Sequence, residues 1–346
     1  MDENKQLTSI SELGEFGLIK ELTKEFSLRS STVKKGIGDD AAVIEKNEKE
    51  YTLISTDVLT EGIHFDPTYV PFKHLGYKAV AVNVSDICAM NGKPEYITVS
   101  ISVSSKYSVE ALKELYQGIQ AACDHYKIDL IGGDTTSSAY GLTINITAFG
   151  SVLKGKEVYR SMAKEHDLLV VTGDLGAAYL GLQILEREKE VFKTNPEIQP
   201  DLDGYDYLIQ RQLKAEARFD IIEMLDKLEV VPTSMIDISD GLASEALHLS
   251  DTSAVGIHMY LEKIPIDHKV IDAAEEFNLD PYTVSLNGGE DYELLFTINQ
   301  KDHEKIASNP NFSIIGHVVN QEKGNYLIDK SGSITKLTAQ GWKQFS

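Results

Sequence analysis

The chain has 346 residues, 42% hydrophobic and 25% charged, a globular composition long enough for two domains. Its 33 Lys and Arg against 54 Asp and Glu give a formal charge of −21 and a pI near 4.8, which excludes a nucleic-acid backbone as partner. The opening stretch MDENKQLTSISELGEFG has neither the basic nor the apolar region of a signal peptide, and no run reaches the roughly 18 apolar residues of a membrane span.

A cytoplasmic location follows as the expectation. Cys88 and Cys123 lie in apolar stretches without metal-binding spacing and are expected as buried, reduced thiols. In chain order, residues 11–29 carry Leu13, Phe16, Leu18, Ile19, Leu22 and Phe26 at helical spacing and predict an amphipathic helix. Tyr51–Ser55 reads as a short strand running into Thr56 and Asp57, which places Asp57 at a strand end. His74–Met90 is apolar almost all round, as a buried helix would be, and Tyr96–Val103 reads as a strand. Ser108 caps a helix whose apolar residues fall at Val109, Leu112, Leu115, Ile119, Ala122 and Tyr126.

Ile128–Ile131 predicts a brief strand ending in Gly132-Gly133-Asp134, followed by a strand over 142–152. The polar stretch from Gly155 to Asp167, with Arg160 inside it, reads as a boundary between domains. Asp167–Gly176 then restarts the pattern as strand, glycine turn and helix. Lys189–Tyr207 is polar with two prolines and predicts a surface segment. Ser234–Ile238 is a further strand, Ser239-Asp240-Gly241 opens the helix Leu242–Leu249, and Gly288-Gly289-Glu290-Asp291 precedes the strand Tyr292–Thr297.

The acids recur beside Gly, Ser and Thr: Gly36-Ile37-Gly38-Asp39-Asp40, Ser55-Thr56-Asp57, Ser85-Asp86, Gly132–Thr136, Asp237-Ile238-Ser239-Asp240-Gly241 and Gly288–Asp291. Each alone is a plain turn or helix cap. Together they suggest Mg²⁺ ions bridging a polyphosphate, because Mg²⁺ takes few carboxylates and completes its shell with water and phosphate oxygens. Phosphoryl transfer is the chemistry this implies. No GxxxxGK[ST] and no HRD…DFG set is present, so neutralisation falls to metal ions, glycine-loop amides and an arginine, for which Arg160 is the candidate. His64 lies just past the Asp57 strand, either packing or meeting substrate. Trp342, the sole tryptophan, either pins the tail or stacks on an aromatic ligand. No Ser, Cys or His nucleophile is required for phosphoryl transfer aligned and neutralised by metal ions.

Read together, these motifs resemble the thiamine-monophosphate kinases of the aminoimidazole-ribonucleotide-synthetase-like superfamily. The matching stretches are Gly14-Glu15-Phe16, Gly36–Ala42, Ser55–Phe65, Lys78–Met90, Gly132–Thr136, Arg160-Ser161, Asp237–Leu242, Asn287–Phe296 and Gly341-Trp342. The resemblance implies an α/β (α+β) fold of two domains, 1–153 and 154–346, with a mixed N-terminal sheet through which a homodimer forms. The apolar helix His74–Met90 and strand Tyr96–Val103 support such an association. It implies transfer of the γ-phosphoryl group of ATP to thiamine monophosphate, assisted by several Mg²⁺ ions.

By motif position the implied metal ligands are Asp40, Ser55, Thr56, Asp57, Asp86, Asp134, Asp237 and Asp240. Gly133, Asp134, Arg160, Ser239 and Tyr116 would contact ATP, and His64, Glu290 and Trp342 the thiamine phosphate. The chain departs from the family pattern at Ser137-Ser138, at Gly155-Lys156, and at Arg211–Arg218, where two prolines are missing. Related selenophosphate synthetases would carry a reactive cysteine near the N-terminus, and the first here is Cys88. A divalent-cation-binding protein would carry DxDxDG loops, and there are none.

Overall fold

The computed structural model describes residues 9–341. The first half contains α1 (Ile10–Thr23), β1 (Val33–Lys35), β2 (Ala42–Glu45), β3 (Glu50–Thr60), α2 (Phe72–Ala89), β4 (Lys93–Val103), α3 (Val109–Tyr126), β5 (Asp129–Ser137) and β6 (Leu142–Leu153). Its six strands form one sheet in the order β1-β2-β3-β6-β4-β5, antiparallel except for the β4–β5 pair. This is the mixed sheet expected.

The second half contains β7 (Leu168–Thr172), α4 (Ala177–Thr194), α5 (Asp206–Leu213), α6 (Phe219–Lys227), β8 (Ser234–Asp237), α7 (Leu242–Ser253), β9 (Val255–Tyr260), α8 (His268–Glu276), α9 (Pro281–Asn287), β10 (Leu294–Ile298), α10 (His303–Ile306), β11 (Phe312–Asn320), β12 (Tyr326–Ile328) and β13 (Ile334–Lys336). Its seven strands run β13-β12-β9-β11-β7-β10-β8. Among the described residues no helix is long and apolar enough to cross a membrane.

Three elements differ from the sequence expectation. β3 continues past Ser55 to Thr60, so Asp57 sits inside a strand, paired opposite Ile146, and not at a strand end. β5 runs through Gly-Gly-Asp-Thr-Thr as an edge strand instead of turning there, and all nine of its residues are exposed. α1 is broken at Gly14 (φ 63°, ψ −175°) and has no fully buried residue, its Phe16 ring resting 4.3 Å from that of His248.

α2 positions the site. Its Leu75, Val80, Val84, Ile87 and Cys88 share one apolar cluster with Val99 and Ile146 of the first sheet and with Met235, Leu294 and Phe296 of the second. The helix is therefore wedged between the two sheets, apolar on most sides as its sequence requires. Each large side chain buried there contributes about 1.5–3 kcal/mol. Beyond its first turn its polar side chains are Lys78, Asn83, Ser85 and Asp86, each with a polar partner.

Candidate active site

The carboxylate oxygens of Asp40, Asp86 and Asp237 lie within 4.8 Å of one another. They come from three different places: the loop before β2, the last turn of α2 and the end of β8. Hydroxyls hold two of them. Ser55 on β3 donates to Asp86 Oδ2, and Ser85 donates to Asp237 Oδ2 at 2.6 Å. Arg160 reaches Asp40 through Nε (3.0 Å to Oδ2) and Nη2, while its backbone amide donates to Asp39 Oδ1 at 3.1 Å. Asp57 joins from β3, its amide donating to Asn83 Oδ1 at 2.9 Å, and burial raises the pKa of its carboxyl.

Such crowding raises proton affinity. Burial, then Asp57, Asp237 and Asp40, hold the Asp86 carboxyl well above the usual carboxylate range. Burial and Asp40 push Asp237 up to about 7, against the opposing pull of Ser85 and Arg160. Burial and Glu15 push Asp240 up to about 6. Glu15, next to the break in α1, is itself raised by burial and by Asp57. Burial disfavours the Arg160 guanidinium, but Asp40 and Asp237 more than offset this and keep it charged. Four or more carboxyls against one guanidinium is an arrangement that a divalent cation would relieve.

A second group lies beside the first. Glu290 has a left-handed backbone (φ 57°) in the loop leading to β10, and Tyr292 does too (φ 52°), a strain of about 1–3 kcal/mol each. The loop is tied to the Asp237–Asp240 segment by Glu290 N to Ser239 O (2.7 Å) and Tyr292 N to Ile238 O (2.9 Å). Lys78 Nζ stands 2.9 Å from both Glu290 oxygens. His64 Nδ1 accepts the Thr60 amide at 3.0 Å, which leaves the ring proton on Nε2. Burial lowers the pKa of His64, so the ring is neutral near pH 7.

The expected ligands thus divide. Asp40, Ser55, Asp57, Asp86, Arg160, Asp237, Ser239 and Asp240 converge on the cleft, with His64 and Glu290 beside them. Gly133, Asp134 and Tyr116 do not: they line a separate cavity of about 370 Å³ with Val99, Leu130, Gly132 and Thr135. The row Asp57–Ile146–Val99–Gly133 crosses three strand spacings, about 14 Å. Thr56 also misses the cleft, its hydroxyl donating to Ile146 O (3.0 Å) on the opposite face of β3 from Asp57. Trp342 lies outside the described residues. Lys78 was legible only as one charge inside an apolar helix, and Gln212, which bonds Glu290, carried no signal.

The missing prolines of 211–218 leave the two arginines in place. Arg211 and Arg218 both pair with the buried carboxylate of Glu293, Arg211 Nη1 at 3.1 Å. They brace the strand entry behind Glu290.

Two sheets around a carboxylate cleft define the class. The model of the AIR synthase related protein family, N-terminal domain, matches residues 38–152. Over nearly the whole chain the similarity is narrower. The thiamine-monophosphate kinase of Bacillus subtilis (strain 168) is 32% identical over 338 residues, 96% of this chain and 100% of that protein. That of Aquifex aeolicus (strain VF5) is 35% identical, over 97% and 99%. A solved structure described as AaThiL complexed with AMPPCP and TMP superposes with a TM-score of 0.83 at 34% identity, covering 98% of this chain and 99% of that one. The chain belongs to the thiamine-monophosphate kinase family.

Proposed function

We infer that this protein transfers the γ-phosphoryl group of ATP to thiamine monophosphate, giving thiamine diphosphate and ADP, the closing step of thiamine diphosphate formation. The observation that carries this reading is the Asp40–Asp86–Asp237 cluster with Arg160, set beside His64 and Glu290. A neutral His64 Nε2–H is a donor suited to a phosphate or ring acceptor, and Glu290 an acceptor suited to a cationic or amino-bearing ligand.

The donor set fits Mg²⁺: hard oxygens from separate loops, partly buried and mutually repelling, with Asp40, Asp57, Asp86, Asp237 and Asp240 as its holders. When bound, Mg²⁺ supplies charge neutralisation across the phosphates. The chain's own residues contribute alignment. Arg160 presents a fixed guanidinium, Ser55 and Ser85 orient the carboxylates, and the loop carrying Glu290 sets the acceptor opposite the nucleotide. Alignment of this kind can be worth about 7–11 kcal/mol of the barrier. The acceptor phosphate is ionised at neutral pH, so no protein base is needed to activate it.

A homodimer is part of the reading, as are domains at 1–153 and 154–346. The outer face of the first sheet exposes Val58 and Tyr96, and its edge β5 exposes Leu130 and Ile131. Thr56 lies on that same outer face, and Asp134 shares a register row with the exposed Val58. A second copy packed there would bring the Gly133-Asp134 segment of one chain toward the cleft of the other. Calorimetry with an ATP analogue and Mg²⁺, then with thiamine monophosphate, tests the whole. Heat on both additions and formation of thiamine diphosphate are expected; an enzyme inert toward thiamine monophosphate at saturating ATP and Mg²⁺ refutes it.

A further inference from the structure

Gln212, at the end of α5, is 6% exposed, and its side-chain oxygen has no hydrogen-bond partner among the described residues. Its Nε2 donates to Glu290 Oε2 at 3.0 Å. That bond fixes the amide's orientation, because the flipped amide would set oxygen against carboxylate. The side chain cannot slide away. α5 presses on α4 at Gly181, where an added Cβ would come 2.1 Å from Leu208 O and 2.9 Å from Gln212 Cβ. Lys78, with Nζ 2.9 Å from both Glu290 oxygens, holds that carboxylate oriented.

A carboxylate offers about four acceptor positions, of which Lys78 and Gln212 take three. One position on Glu290 Oε1 and the Gln212 oxygen are then acceptors without a donor among the described residues, on side chains already bonded to each other. We propose that Gln212 is a specificity-determining residue whose oxygen, together with Glu290, accepts the two N–H groups of a primary amino group on the substrate's heterocycle. This rests on the function proposed above, since the pyrimidine ring of thiamine monophosphate carries such an amino group. The same pair of acceptors repels an oxo group at that position. Lys78 acts through Glu290 and is a positioning residue.

The test compares thiamine monophosphate with the analogue whose pyrimidine amino group is replaced by oxo, in the native enzyme and in Gln212→Met. The native enzyme is expected to prefer the amino substrate by about 100-fold in kcat/KM. Gln212→Met should lose about tenfold of that preference through KM for the amino substrate, with KM for ATP and the melting temperature unchanged. An unaltered preference in Gln212→Met would mean that the oxygen does not contact the substrate, and overturns the proposal. So does a native enzyme that phosphorylates both compounds equally well. A native enzyme that phosphorylates neither refutes the kinase reading instead. If Gln212→Met does not fold, the N-methylamino analogue, with one N–H, serves with native enzyme: a loss of about tenfold supports the two-acceptor arrangement and equal turnover overturns it.

Discussion

Asp57 and Asp134 belong to the same sheet, one residue out of register and three strands apart, yet their surroundings are opposite. Asp57 faces α2, where Asn83 and Asp86 meet it and burial raises its pKa. Asp134 stands on an edge strand exposed along its whole length, in the row of Ser100, Asn145 and the exposed Val58. The first environment is finished within one chain and stores repulsion that a cation can release. The second offers an exposed carboxylate at the rim of an open edge cavity, where the proposed second copy would meet it. Acid-bearing glycine motifs that look alike in sequence therefore divide into a half gathered in the cleft and a half on the exposed sheet edge.

The sharpest way to break that division is Asp86→Asn. It removes a ligand position from the half gathered in the cleft, and turnover is expected to fall by about 10³-fold or more. The metal-free protein should meanwhile melt no lower, and higher if repulsion dominates, because a buried charge among like charges is lost. Activity within tenfold of native at saturating Mg²⁺ would remove Asp86 from the chemistry.

Asp134→Asn and Ile131→Lys probe the other half. The first should cost about 10²-fold in activity with the melting temperature of the metal-free protein unchanged, since an exposed edge acid contributes little to folding. The second places a charge on the 59%-exposed Ile131 and, under the proposed homodimer, should leave a monomer in sedimentation, with activity falling in parallel. A fully active monomer would show that the cleft is sufficient alone.

Arg160→Met separates binding from chemistry within the cleft. A charge-assisted hydrogen bond is worth about 1.5–3 kcal/mol, so KM for ATP should rise about 10- to 150-fold with KM for thiamine monophosphate little altered. Equal rises in both constants would mean that Arg160 serves only to hold Asp40.

Much of the cleft was legible because its chemistry is written in short polar motifs set against apolar elements. Asp86 in an apolar helix and Asp237 at the end of an apolar strand each announce a buried charge that needs a partner. The edge strand was not legible. Gly132-Gly133-Asp134 has turn composition, but Gly133 is there for contact: an added Cβ would meet Val99 O at 1.9 Å. Only the pairing with β4 reveals that reason. The length of β3 was missed likewise, since Asp57 interrupts the apolar alternation and only Asn83 across the cleft accounts for it. Lys78, Gln212 and Glu293 make their partners over long sequence separations, which spacing cannot encode.

The smallest expected effect is a difference in melting temperature. Asp237 and Asp240 are raised to about 7 and about 6, burial being the first cause of each. In the unfolded chain an aspartate titrates near 3.9, so between about pH 4 and 7 the folded protein holds protons that the unfolded chain has released. Their stabilising contribution is complete below pH 4 and is lost as pH rises through 7, where the bared carboxylates repel. A divalent cation displaces those protons and cancels the repulsion, so its stabilising effect should be near zero at pH 5 and grow through pH 7. At a concentration 100 times its dissociation constant it adds about 2.7 kcal/mol, several degrees for a chain of this size. The Mg²⁺-induced rise should thus be about 3 °C or more larger at pH 8 than at pH 5, against a sodium chloride control of equal ionic strength. In Asp86→Asn the difference should shrink, and in Asp134→Asn it should persist, because the edge carboxylate is already in water. A rise independent of pH in the native protein would mean that the cleft binds its cation without proton release, and would dissolve the contrast between the two halves.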